Sequence, residues 1–203
     1  MLRIRNISQY VDAETAFQDH DSEPRQSHAR VYTGDVATSL RPVVLHTLLG
    51  SCVAVCVCDQ LLGIGGMNHI LLPGHDRESR STRFGVHAME LLIHELIKQG
   101  ADRRRLIAKA FGGANVMPGM RTAVIGDDNI NFVREFLATA RIPLVAQRLG
   151  GDQAVHVYFK TDTGQATVLS VNGLRLPQLI HAEDNYWRPH AADTHLNSES
   201  TLF

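Results

Sequence analysis

The chain has no surplus of charge of either sign: 20 Lys and Arg stand against 21 Asp and Glu, a formal net charge of -1 with histidine neutral. A nucleic-acid binder takes most of its affinity from neutralising phosphates and needs a basic excess, so the balance argues against that class. The densest basic run, Arg103-Arg104-Arg105, stands just before an apolar stretch and reads as a solvated turn. Long apolar runs are also missing. The opening MLRIRNISQYVDAE has no apolar core of signal-peptide length, and no later segment approaches the ~20 apolar residues that cross a bilayer. Cysteine is scarce: three residues, an odd number crowded between positions 52 and 58, do not make a disulfide framework. Together these absences point to the cytoplasm. Internal repeats are lacking too.

What is present suits one domain with a sizeable core, since 203 residues with 44% hydrophobic composition bury enough surface for it. Residues 1–28 are polar and without a sustained period, and read as a loosely ordered arm. Residues 29–176 read as the domain. Residues 177–203 lack a repeated apolar face and read as a mobile tail. Within the domain, VVLHTLL (43–49), VAVCVC (53–58) and the run 64–72 are apolar at both parities, as strands covered on both faces are. Met89, Leu92, Ile93 and Leu96 recur at helical spacing over residues 84–99, with Gly100 where a C-cap glycine belongs. Ile130, Val133, Phe136, Leu137 and Ala140 do the same over 127–140. LIAKAF, PLVAQRL, AVHVYFK and ATVLSV complete the strands, the last two joined by the turn TDTG at 161–164. More strands than helices, with hairpin-length joins, predict an α+β fold: layered, mainly antiparallel sheet with flanking helices.

Two of these strands bring chemistry together. If Cys58 pairs with Gly63 across a short hairpin loop, antiparallel register sets Cys52 directly opposite His69, on one face of the sheet, where Cβ atoms lie ~4.5 to 5.5 Å apart. A slip of one residue would send His69 to the other face. Gly50-Ser51 before Cys52 suits a tight bend that presents the thiol and aims backbone N–H groups at a developing oxyanion. A neighbouring imidazolium lowers a thiol's pKa and supplies a nucleophile. The plainer reading is that a cysteine in an apolar strand is core, and it holds for Cys56 and Cys58 inside VAVCVC.

The segment TLLGSCVAVCVCDQLLGIGGMNHILLP (47–73) resembles the signature of the chemoreceptor glutamine deamidases, the CheD family. The resemblance continues in FGVHAMELLIHELIKQGA, AKAFGGANVM and IGDDNINFVREFLATARIPLVAQRLGG, then in the TDTG turn, and covers roughly residues 42–171. It implies a cysteine nucleophile at Cys52, a histidine at His69 and a threonine that orients the imidazole, here Thr47, with His46 at the adjacent position. It implies backbone donors near Ser51 and Cys52, no cofactor, and an α/β/β/α sandwich like the catalytic domain of cytotoxic necrotizing factor toxins. The implied reaction is hydrolysis of receptor glutamines to glutamates through a thioester. The implied partners are the cytoplasmic helical bundle of chemoreceptors and a CheC-type phosphatase.

Two readings of other classes compete. Cys52, Cys56, Cys58 and His69 offer four potential ligands, but zinc sites usually open with a cysteine pair on a knuckle or loop followed by a second pair, whereas Cys56-Val57-Cys58 lies in a strand pattern. His87, Glu90 and His94 share one helix face, which reads as solvated. A non-catalytic adaptor of the same fold is the other rival, and with Cys52 and His69 both present nothing marks a dead site. The same machinery would also cleave receptor methyl esters, since both substrates pass through one acyl-enzyme.

Overall fold

The computed structural model describes residues 3–6, 27–71, 80–116 and 122–171. In chain order these form β1 (Arg3–Asn6), β2 (Ser27–Arg30), β3 (Asp35–Ser39), β4 (Val43–Leu49), β5 (Val53–Asp59), β6 (Ile64–Ile70), α1 (Arg80–Lys98), β7 (Ile107–Gly112), α2 (Thr122–Ala140), β8 (Leu144–Leu149), β9 (Val155–Lys160) and β10 (Ala166–Ser170). One sheet has the order β1-β3-β6-β5-β7-β8 and the other β10-β9-β4-β2. Three neighbouring pairs are parallel, β1 with β3, β7 with β8 and β2 with β4, and the rest antiparallel. This is the expected α+β sandwich of mainly antiparallel strands. Among the described residues both helices pack on the outer face of the six-stranded sheet, so the layer order there is helix, sheet, sheet.

Alternation along β5 explains why that strand is apolar at every position. Val53, Val55 and Val57 face Met89, Leu92 and Leu96 of α1 and Val133 and Leu137 of α2, in the core between helices and sheet. Ala54, Cys56 and Cys58 face Leu45, Leu49, Val157 and Phe159 across the gap between the two sheets. A strand in the middle layer needs an apolar side chain on each face, because both faces are removed from water. Both helices end in paired bonds of Schellman type: Ala101 N–H to Leu96 O and Gly100 N–H to Ile97 O close α1, and Ile142 N–H to Leu137 O and Arg141 N–H to Ala138 O close α2.

Three strands depart from the sequence reading. β1 and part of β2 fall in the stretch read as an arm, and β3 was not anticipated. β1 and β2 are four residues long and pair in parallel with distant β3 and β4, so no local hairpin announces them. β3, DVATS, is fully buried although three of its five side chains are polar. Partners explain it: Thr38 Oγ1 accepts from Gln99 Nε2 at 2.7 Å, and Ser39 Oγ donates to Arg41 O at 2.9 Å. The residues read as a tail, 177–203, lie outside the described residues.

The β5–β6 hairpin also corrects the assumed register. Cys58 pairs with Gly65 rather than Gly63, and Asp59 with Ile64. The loop keeps four residues but lies one position later, with Gly63 at φ 64°, a turn conformation that a side chain would resist. Asp59 pins that end. Its fully buried carboxylate takes Arg105 Nη2 at 2.7 Å and Asp102 N–H at 3.0 Å, and Arg105 holds its pKa below the ordinary range. Arg105 is therefore more than a solvated turn residue.

Candidate active site

Between β4 and β5 the chain passes from the four-stranded sheet to the six-stranded one, and Gly50, Ser51 and Cys52 make the crossing. Three successive carbonyls of this bend are held from one side. Gly50 O accepts from Ala114 N–H at 2.7 Å, Ser51 O from Asn129 Nδ2 at 3.1 Å, and Cys52 O from Gly113 N–H at 2.7 Å. In a trans peptide the N–H points opposite to the preceding C=O. Fixing the carbonyls of Gly50 and Ser51 therefore turns the N–H groups of Ser51 and Cys52 toward the other side. The backbone after β7 comes this close because Gly112, at φ 104°, has no side chain: a Cβ there would collide with the Cys52 carbonyl oxygen.

His69 lies in β6 opposite Ala54, two residues along from Cys52. The slip from the assumed register is two residues, an even number, so both side chains stay on the face between the sheets. Cys52 and His69 are diagonal neighbours rather than directly opposed. Thr47 reaches His69 from the other sheet. Its Oγ1 lies 2.9 Å from His69 Nδ1 and donates its one proton to Val31 O at 2.7 Å. With that proton spent, Thr47 is the acceptor toward the ring, so Nδ1 carries the hydrogen and Nε2 presents its lone pair. Thr33 Oγ1 stands 3.3 Å from Nε2.

Burial pushes the His69 imidazole down to about 4; the Val31 carbonyl works against this and the Arg30 charge adds to it. His69 is thus neutral at pH 7, where the sequence reading expected an imidazolium beside the thiol. Cys56 and Cys58 lie within β5, packed in the core between the two sheets. Burial raises the Cys56 thiol well above its ordinary value and lifts Cys58 to about 11.

The site thus gathers Thr47, Ser51, Cys52 and His69 in one buried corner of the inter-sheet layer, each 5% exposed or less. His46, the neighbour considered as a substitute base, is not among them. Side chains alternate along β4, so His46 points to the outer face of the four-stranded sheet, where its Nδ1 lies 3.3 Å from His156 Nε2. The residues that hold the bend from behind, Gly113, Ala114 and Asn129, and Gly112, which leaves room for their approach, went unassigned in the sequence. Their signals were a Gly-Gly pair closing an apolar strand and, of the two asparagines that flank Ile130 in α2, the one that is 0% exposed, Asn129. A groove of about 410 Å³ between α1 and α2, lined by Glu90, His94 and Phe136 among others, contains none of the site residues.

The family model described as CheD chemotactic sensory transduction matches residues 71–170. A Chromobacterium violaceum protein named "Probable chemoreceptor glutamine deamidase CheD 2" is 41% identical over 78% of this chain and 81% of its own. Relatives named "Probable chemoreceptor glutamine deamidase CheD" from Thiobacillus denitrificans and Stenotrophomonas maltophilia are 40% and 46% identical, over 78% and 68% of this chain and 81% and 68% of theirs. A crystal structure of a Neisseria meningitidis DUF152 protein overlays with a TM-score of 0.39 and 8% identity across 63% of each chain, too loose a likeness to argue from. With the sandwich and its buried corner in place, relatives at this identity and coverage make the chain a member of the CheD family.

Proposed function

We propose that this protein hydrolyses the side-chain amide of glutamines on chemoreceptors, leaving glutamate, with Cys52 as nucleophile and His69 as its acid and base. The observation that carries the reading is the pair of bonds through Thr47 Oγ1, which set the hydrogen of the buried, neutral His69 on Nδ1 and leave a lone pair on Nε2. That is the state a general base needs before it acts. The names of the relatives support the receptor as substrate.

Nε2 takes the thiol proton as Cys52 Sγ bonds to the carboxamide carbon. The N–H groups of Ser51 and Cys52, held in orientation by the bonds to the bend's carbonyls, donate to the oxyanion. The imidazolium then gives its proton to the nitrogen, the C–N bond breaks, and ammonia leaves a thioester. Water, losing a proton to the again neutral His69, attacks the thioester; the C–S bond breaks, and the imidazolium passes that proton to Sγ, which restores the thiol and the neutral ring. Thr47 holds the ring throughout, and the bidentate load on its hydroxyl keeps the tautomer from inverting. On the cytoplasmic helical bundle of a receptor the product is a new negative charge and a carboxylate that a methyltransferase can esterify, the chemistry of adaptation. A CheC-type phosphatase as second partner rests on the family resemblance alone.

The test is incubation with the cytoplasmic fragment of a chemoreceptor and mass spectrometry of its peptides. Each conversion adds ~1 Da, the amide-to-acid difference of this nucleophilic chemistry, and releases ammonia. A folded protein that yields neither product on any receptor glutamine refutes the reading.

A further inference from the structure

Thr33 lies in the turn between β2 and β3, outside every segment that the sequence associated with catalysis. The turn rides on the backbone of His69 itself. Gly34 N–H donates to His69 O at 2.8 Å, Asp35 N–H to Tyr32 O at 2.9 Å, and Tyr32 N–H to the Asp35 carboxylate at 3.2 Å. The Thr33 hydroxyl is therefore fixed relative to the imidazole, 3.3 Å from Nε2. His69 is buried at 5% exposure, whereas Thr33 is half-buried and next to Tyr32 at 49%. The hydroxyl stands where the buried ring meets the solvent side.

We propose that Thr33 Oγ1 marks the subsite of the leaving ammonia and of the hydrolytic water, holding each in turn against His69 Nε2. The proposal rests on the deamidase reading and deepens it. Nδ1 is occupied, so Nε2 exchanges every proton of the cycle. Once Sγ has bonded to the carboxamide carbon, Nε2–H must meet the leaving nitrogen; after ammonia departs, Nε2 must meet the water. By microscopic reversibility these two groups occupy one place. A nitrogen or oxygen that reaches Nε2 from the Thr33 side also comes within reach of Oγ1. The hydroxyl has one proton and two lone pairs. It donates to Nε2 when the site is empty and accepts an N–H of the leaving amine, or the second O–H of the water, when the site is filled. Its resting bond is longer than the usual ~2.7 to 3.2 Å and is readily exchanged. The held amine turns its lone pair to Nε2–H, and the held water turns one proton to Nε2 and a lone pair to the thioester carbon.

The experiment partitions the thioester between water and hydroxylamine, a nucleophile that needs no base. Receptor fragment is incubated with enzyme and a fixed concentration of hydroxylamine, and mass spectrometry gives the ratio of hydroxamate to glutamate at each glutamine. Thr33→Val is expected to raise that ratio on the order of tenfold, as lost orienting bonds do, and to lower kcat with KM nearly unchanged. Thr33→Ser restores both. Thr33→Ala serves in its place if the valine variant fails to melt cooperatively. A ratio equal to wild type in a folded variant without the hydroxyl, or a serine variant that restores nothing, overturns the proposal. Cys52→Ala separates the two levels: if it still deamidates, the thioester reading itself falls, and if it is inactive while the ratio stays unmoved, only the Thr33 subsite falls.

Discussion

Thr47→Val removes one oxygen from the centre of the site and leaves its shape. Two bonds go with it, the 2.7 Å donation to Val31 O and the 2.9 Å bond from His69 Nδ1. A stranded buried group costs about 1–3 kcal/mol, so two of them would cost several. The stranded groups are complementary, however: one is an N–H and the other a carbonyl, and the Val31 carbonyl already helps to hold the His69 proton. A direct bond between them recovers most of the loss, which leaves a net destabilisation of about 1–2 kcal/mol. The cost appears in the rate, because the ring must turn toward Val31 and carries Nε2 off its line to the thiol. Misplacement on the order of 1 Å costs up to ~100-fold, so kcat is expected to fall between about ten- and a hundredfold, or ~1.4 to 2.7 kcal/mol of barrier, at nearly constant KM. Initial rates on one receptor fragment and urea melts of the same preparations supply both numbers, and Thr47→Ser, which keeps the hydroxyl, should recover most of the rate. A folded Thr47→Val enzyme within a factor of two of wild type would refute the orienting role.

Cys52→Ala should abolish deamidation and His69→Ala should reduce it by several orders of magnitude; the double variant should be no worse than Cys52→Ala, since an imidazole without a thiol has nothing to activate. Additive losses in those rates would break the proton-transfer unit. Acid should destabilise the fold through His69: its folded pKa of about 4 lies below the ordinary 6.5, so the unfolded chain binds the proton first. Stability is complete above pH 6.5 and is lost as pH falls toward 4, by about 3 kcal/mol at most from this group. Urea midpoints at pH 7.5 and 4.5 should show a larger acid loss in wild type than in His69→Gln, and equal losses would contradict it. Gly112→Ala should cost about 2–4 kcal/mol, from a positive φ and a Cβ driven into the Cys52 carbonyl, and should depress activity beyond its effect on the melt. An unchanged melting temperature would show that the close approach of β7 to the bend is dispensable.

Much of this protein was legible in one dimension. The apolar runs of β4, β5 and β6 and the spacing of Met89, Leu92, Ile93 and Leu96 determined the strands and the helix they became, because a buried face writes its period directly into the chain. The segment GSC and the histidine after it marked the candidate chemistry, since Cys52 leads into one strand of a hairpin and His69 lies in the other. What tertiary structure alone decided are the contacts made across long separations. The register of that hairpin depended on Asp59, which Arg105 anchors from 46 residues away. The orientation of the Gly50–Cys52 bend depended on Ala114 and Asn129, from two other elements. The protonation pattern of His69 depended on Thr47 in the opposite sheet, on Val31 and on burial, none of which has a local signature. Thr33 is the extreme case: a turn residue 36 positions before the imidazole that it touches, brought there by the pairing of β3 with β6. A hydrogen bond spans a few ångströms whatever the sequence separation, so residue type and periodicity named the groups that could react, and only the folded chain set the distances that let them.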